Sequence, residues 1–220
     1  MTSHSLRNPY RYKEKDRAFF TVPAEELAPW LLGKIICHHV PGEKEPRKFQ
    51  INVVEAYGID DPFCHANKEY TDKKRKGATT QLEIGGTLYT HGRNCFDIVA
   101  ENIGRAGGVL IRGARNLNND PNGDYYNKEK GNPKKLSFAL KIEPWMNGVD
   151  LLKKENEVLG LGEELWIEDV GFDSKGKYSK GERINLDKVK VPKGIEDDRM
   201  QEFEKYRDKK WRFFLKENEV

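Results

Sequence analysis

The chain has 220 residues, with 39 Lys+Arg against 36 Asp+Glu and a formal charge of +3. This length supports one sizeable domain or at most two small ones, and so small a charge excess does not by itself argue for a nucleic-acid partner. No apolar run approaches the roughly 18 residues that a membrane span requires. The stretch from Met1 to Arg17 is polar and lacks the apolar centre of a signal peptide, so an intracellular protein with no membrane partner is expected. Cys37, Cys64 and Cys95 form no CxxC pair, which argues against a disulfide scaffold or a thiolate zinc site. Reduced, structural cysteines are expected.

Residues 1–17 read as a loosely ordered segment, and 18–220 as the domain. Leu27, Trp30 and Leu31 have helical spacing, with Gly33 as the stop and Pro29 shortening or kinking the helix. Lys34 to Val40 reads as a strand, and Lys48 to Ala56 as the clearest strand of the chain. There Phe49, Ile51 and Val53 fall on one parity, which predicts an inward face, and Glu55 continues that parity. Gly58, Asp60, Asp61 and Pro62 end it in a turn. Two local basic groups stand out: the run Lys73-Lys74-Arg75-Lys76, and the looser set Lys128, Lys130, Lys134 and Lys135.

Strands are expected at Thr87 to His91, Cys95 to Ala100 and Val109 to Ala114, the last two joined by a hairpin at Gly104 and Gly107-Gly108. Asn116 to Asn132 reads as a long surface loop. A helix follows through about Leu140, with Asn132 as N-cap and Pro133 in its first position. The spacing also suggests a helix over Asp150 to Glu157, a strand over Glu164 to Val170, an acidic helix over Ile195 to Tyr206 and a closing strand from Trp211 to Leu215. Strands and helices do not alternate regularly. The expected fold class is therefore α+β, a single domain with a curved, mostly antiparallel sheet flanked by helices.

The chemistry concentrates in Val53-Val54-Glu55-Ala56-Tyr57-Gly58 and the following Asp60-Asp61-Pro62-Phe63-Cys64-His65-Ala66. A strand end holds a carboxylate rigidly, as a general base requires. An aromatic two residues on lies on the same parity, where it can stack on a planar ligand. A buried ion pair or a strand-edge residue is the alternative reading of Glu55, core packing that of Tyr57, and a backbone-bonded loop residue that of His65. Neighbouring strand residues in Cys37-His38-His39 point to opposite faces, so they make a poor metal site. Asp60, Asp61, Cys64 and His65 are a weak alternative; no metal is expected. No phosphate loop or nucleotide fingerprint is present, so no cofactor is expected.

This stretch resembles the signature of the alkyladenine (3-methyladenine) DNA glycosylase family, the single-domain type without a helix-hairpin-helix motif. Val54-Glu55-Ala56-Tyr57 and Asp61-Pro62-Phe63-Cys64-His65-Ala66 look like its strand-and-turn motif. Gly86-Thr87-Leu88-Tyr89, Val109-Leu110-Ile111-Arg112-Gly113-Ala114, the helix start Gly131-Asn132-Pro133-Lys134-Lys135-Leu136 and the closing Trp211-Arg212-Phe213-Phe214 resemble further family motifs in the family's order. The resemblance spans about Phe19 to Leu215.

It implies a monofunctional repair enzyme of base excision repair that flips an alkylated or deaminated purine out of double-stranded DNA and hydrolyses its N-glycosidic bond. Glu55 would be the catalytic base that activates water. Tyr57, His65 and Arg112 would line the base pocket. Asp97 would stand near the position where the family has an asparagine that senses the purine. His91 would take the place of the wedge residue, and Leu88 or Tyr89 that of a stacking residue; which of Tyr89 and His91 faces the base is open. Lys134 and Lys135, beside the free amides of a helix start, would meet DNA phosphate. A monomer acting on DNA in the bacterial nucleoid or a nucleus is expected. Two other readings are a non-catalytic nucleic-acid-binding protein on the same fold, prompted by the altered stretch Tyr89 to Asn94, and a hydrolase of another nucleoside-like bond.

Overall fold

The computed structural model describes residues 8–67, 78–92, 94–118, 130–154, 159–160, 162–189 and 197–216. The basic run at 73–76, Lys128 and most of the expected loop after Asn116 lie outside the described residues. The strands are β1 (Tyr10–Arg11), β2 (Ile35–His39), β3 (Arg47–Tyr57), β4 (Leu88–His91), β5 (Cys95–Val99), β6 (Gly108–Asn116), β7 (Glu164–Asp169), β8 (Tyr178–Gly181) and β9 (Arg212–Leu215). The helices are α1 (Ala24–Leu31), α2 (Pro133–Leu140) and α3 (Asp197–Arg207). Together they form an α+β domain.

The nine strands make one sheet in the order β1-β7-β2-β3-β6-β5-β4, with β9 on β3 and β8 on β9. Every pairing is antiparallel. The long strand β3 carries the arrangement. Along one edge, its first half pairs with β2 through Arg47 to Gln50, and its second half pairs with β9 through Val53 to Glu55. The other edge pairs with β6 throughout. Handing one edge from β2 to β9 curls the sheet, and it holds the Glu55 backbone between two neighbours.

Helices α1 and α2 cover one face. Ala24, Leu27, Ala28 and Leu31 are the buried positions of α1, the i, i+3, i+4, i+7 stripe of an amphipathic helix. Pro29 is tolerated because the helix is only 8 residues long and ends two residues later. Asn132 caps α2 by accepting from the Lys135 amide at 3.1 Å, with Pro133 in the first turn.

One expectation is corrected inside β3. Phe49 and Ile51 join the main core, but so do Val54 and Ala56, and Val53 does not. The β3–β6 register is irregular between Ile51, Val53 and Val54. On β6 the core residues are Val109, Ile111 and Ala114, with the same three-residue step. Both strands therefore change phase together near Asn52–Val53 and Arg112–Gly113, and a one-residue change of phase exchanges the two faces. Glu55 faces away from the main core rather than continuing the side of Phe49 and Ile51. It is nevertheless 0% exposed, because other groups cover it.

Two further expectations change. Of the N-terminal segment, residues 1–7 lie outside the described residues. Residues 8–17 are bound into the fold: β1 pairs with β7, and Arg17 is buried, bonded to the Gly85 carbonyl at 2.9 Å and to Asp150 at 2.7 Å. The expected helix at Asp150 to Glu157 is a turn over its described part, and 155–158 lie outside the described residues. Asp150 is occupied otherwise. It bridges Thr87, holds Arg17, and accepts from the Leu152 amide at 3.1 Å, a local bond that competes with a helix start. Among the described residues, no helix is long and apolar enough to cross a membrane.

Ile111 is fully buried in the core and lies opposite Val54. Ile111→Ala is expected to lower unfolding stability by roughly 2–5 kcal/mol, read from urea denaturation. A loss near zero would contradict the change of phase.

Candidate active site

The face of the sheet opposite the main core collects the chemistry-bearing residues. Directly paired residues share a face, and Glu55 and Asp97 both lie opposite Leu110. Tyr89 lies opposite Asp97, and His91 is two residues further along the same strand. Arg112 follows Leu110 by two and reaches Glu55 directly. Glu55, Tyr57, Tyr89, His91, Asp97 and Arg112 thus stand on one surface, and His65 joins them from the turn after β3.

Three donors converge on Glu55. The Tyr57 hydroxyl donates to Oε2 at 3.0 Å and Arg112 Nη1 donates to the same oxygen at 3.1 Å. The Ile184 backbone N–H donates to Oε1 at 2.7 Å. An ionised carboxylate offers about four acceptor positions, and donors among the described residues take three of them. Burial pushes the Tyr57 phenol well above its ordinary value. The Glu55 charge adds to this, Arg183 opposes it and Asp97 reinforces it. Tyr57 therefore stays protonated and keeps its role as donor.

Arg112 is oriented from behind. Its Nε donates to the Lys130 carbonyl at 2.9 Å, which leaves Nη1 for Glu55. Gly131 permits this approach. Its φ is +60°, and a Cβ there would lie 2.4 Å from the Arg112 carbonyl oxygen.

A second cluster is built from rings. Tyr89 is fully buried, and its hydroxyl lies 3.0 Å from His65 Nδ1. His91 stacks on Tyr89 with centroids 5.1 Å apart and planes at 25°. His65 meets His91 edge-on at 4.8 Å. His91 Nε2 lies 2.8 Å from Asp97 Oδ1, and Gln81 Nε2 donates to Asp97 Oδ2 at 3.0 Å. Gln81 Oε1 in turn accepts from the Ala66 amide at 3.0 Å, tying the turn that carries His65 to Asp97. Burial pushes the Cys64 thiol up to about 12, so it is no thiolate nucleophile.

Lys134 and Lys135 stand elsewhere. They line a cleft of about 890 Å³ with Arg47, Phe49, Asn132 and Phe138, and none of the residues around Glu55 borders it. The link to the site is indirect, through Lys130 and Gly131 just before α2. Among the described residues, no three His, Cys, Asp or Glu side chains converge as a metal site. Of the weaker metal candidates, His38 is buried between the Leu140 carbonyl and Glu163, and Asp61 pairs with Arg183.

Sequence reasoning missed Arg183, Ile184 and Gln81. Arg183 lies in Lys180-Gly181-Glu182-Arg183, which reads as a solvated charged stretch. A backbone donor such as Ile184 N–H leaves no mark on residue type. Gln81 sits in a short 3-10 helix, Ala78–Leu82, with no flanking periodicity.

A buried carboxylate with an arginine, a phenol and a cluster of rings beside it suits hydrolysis at a planar substrate. The sequence profile of the family described as Methylpurine-DNA glycosylase (MPG) matches residues 18–219. Three relatives carry the name "Putative 3-methyladenine DNA glycosylase". That of Alkaliphilus oremlandii is 30% identical over 225 residues, covering 92% of this chain and 96% of its own. That of Natranaerobius thermophilus is 26% identical over 216 residues, covering 92% and 96%. That of Clostridium perfringens strain 13 is 28% identical over 222 residues, covering 92% and 95%. The chain belongs to the methylpurine-DNA glycosylase family, DNA glycosylases of base excision repair.

Gly131→Ala must either strain a left-handed backbone or push Arg112 aside. Thermal unfolding is expected to show a loss of about 1–3 kcal/mol; unchanged stability would mean that the approach of Lys130 to Arg112 is not tight.

Proposed function

We propose that this chain flips an alkylated or deaminated purine out of duplex DNA and hydrolyses its N-glycosidic bond without cleaving the strand, with Glu55 activating the water. The observation that carries this reading is the environment of Glu55. It is a fully buried carboxylate fixed by three donors among the described residues, on the same sheet face as the ring cluster. The water is deprotonated as it attacks the anomeric carbon, the C–N bond breaks with its electrons going to the purine, and the proton passes to Glu55.

Ordinary glycosidases pair a base or nucleophile with a second carboxyl that protonates the leaving group. An alkylated purine already carries a positive charge and leaves without that acid, so one carboxylate suffices. Asp97 is the other buried carboxylate on this face, and it is engaged by His91 and Gln81. Its negative charge favours a cationic base. Extruding a base costs a few kcal/mol of unstacking, which aromatic contacts in the pocket offset. Arg183 lies 4.7 Å from the centre of the Tyr57 ring, and the ring also packs against the cluster of Cys64, Ala66 and Ala106. Tyr89 is fully buried and His91 stacks on it with its side chain 14% exposed, so His91 presents the more accessible ring. Lys134 and Lys135, at the start of α2, would take DNA phosphate.

Glu55→Gln preserves shape and removes the base. It is expected to lower single-turnover release of 3-methyladenine by at least about a thousandfold, a role at the upper part of the general-base range, while damaged-duplex binding stays within a few-fold. Near-normal release would remove Glu55 from the role of base. Wild-type binding with no free base released from any modified-purine duplex would instead identify a non-catalytic binder.

A further inference from the structure

Arg183 is buried beside Glu55 without touching it. Its Nη1 donates to the Ala56 carbonyl at 3.0 Å and to Asp61 Oδ2. Its Nη2 donates to Asp61 Oδ1 at 3.3 Å and to the Tyr206 carbonyl at 2.8 Å. Both partners of the ion pair are 0% exposed at the side chain. The guanidinium carbon also lies 4.7 Å from the Tyr57 ring centre, 5.3 Å from Trp211 and 5.5 Å from Phe63. One side chain thus ties together the end of β3, the turn after it, the end of α3 and the residue before β9.

The residue that follows supplies the Ile184 N–H to Glu55 Oε1 at 2.7 Å. That amide belongs to the peptide directly after Arg183, so fixing the Arg183 side chain fixes where the N–H points. No other donor to Oε1 occurs among the described residues. We propose that Arg183 is a positioning residue: its fork, held by Asp61 and the Ala56 and Tyr206 carbonyls, aims the Ile184 amide at the Glu55 carboxylate. The pair Asp61–Arg183 then acts on catalysis through a backbone hydrogen bond, with no contact to substrate. This rests on the reading of Glu55 as the base.

A fork and a point charge are distinguishable. Lysine keeps the positive charge at 183 but cannot bond two carbonyls and a bidentate carboxylate at once. The charged and titratable groups around Glu55 among the described residues are Arg112, Tyr57, Arg183, Asp61 and Asp97 with its partner His91, and Arg212 is its β9 partner. Losing the Ile184 donor removes the backbone hydrogen bond that fixes Oε1.

The full chain is compared as wild type, R183K, R183Q and a variant with the Ile184 amide replaced by an ester, which deletes the N–H and leaves Arg183 and Asp61 in place. Single-turnover release of 3-methyladenine is expected to fall about tenfold or more in all three, with duplex Kd within about threefold. The acid limb of the rate profile is expected to move up by about one pH unit, a charged hydrogen bond expressed as a titration shift. Restoration of both rate and acid limb in R183K would overturn the proposal in favour of a charge effect. An ester variant with wild-type rate and acid limb would overturn it too, and that test stands if the Arg183 variants do not fold. A readout independent of base release is the Ile184 amide resonance. It is expected to titrate with Glu55 in the wild type, to lose that titration in E55Q, and to lose it in R183K. Titration retained in R183K overturns the positioning role. A wild type that releases no base while its Ile184 amide still titrates in this way would instead overturn the functional reading.

Discussion

The change of phase shared by β3 and β6 decides what this molecule can do. Had the alternation run unbroken from Phe49, Glu55 would have entered the apolar core with Phe49 and Ile51, where an unpaired carboxylate is expensive. Instead, Ile51 gives way to Val54 and Ala114 to Ile111, and the core takes Val54 and Ala56 where unbroken alternation would have placed Val53 and Glu55. The opposite face gains Glu55, Asp97 and Arg112 side by side. β9 pairs with β3 just after this irregularity, so the strand end is held from both edges where the carboxylate emerges.

The groups that cover Glu55 come from distant parts of the chain. Tyr57 is local, Arg112 comes from β6 and Ile184 from the segment before α3. The Asp61–Arg183 pair seals that segment against Tyr57, Phe63 and Trp211. Burial raises the Asp61 carboxyl above its ordinary range, and Arg183 opposes that shift. Removing one partner of such a pair leaves a buried charge and costs roughly 3–5 kcal/mol. The pair therefore couples folding of the C-terminal segment to the geometry of Glu55.

Much of the frame was legible in the sequence. The strands at Ile35, Arg47, Leu88, Cys95, Gly108, Glu164 and Arg212, and the helix capped by Asn132, follow from alternation and capping residues that act locally. The six sheet residues and His65 singled out around Glu55 do lie together. What period-two counting could not reveal is the slip at Asn52–Val53, because Val53 is apolar and buried on either phase. Asp150 looked like a helix start, but its side chain is committed to Arg17 and to a turn. Arg183 was hidden because a buried arginine and a solvated one have the same letter, and its partner Asp61 lies 122 residues away.

In the proposed reaction, Glu55 holds the attacking water. The most direct measurement is a crystal structure of the chain on a duplex carrying a cationic pyrrolidine in place of the damaged nucleoside. An ordered water is expected within hydrogen-bond distance of Glu55, beside the anomeric position, with the Tyr57, Arg112 and Ile184 bonds retained. A pyrrolidine seated away from Glu55, or a carboxylate closed to water by the protein alone, would contradict it.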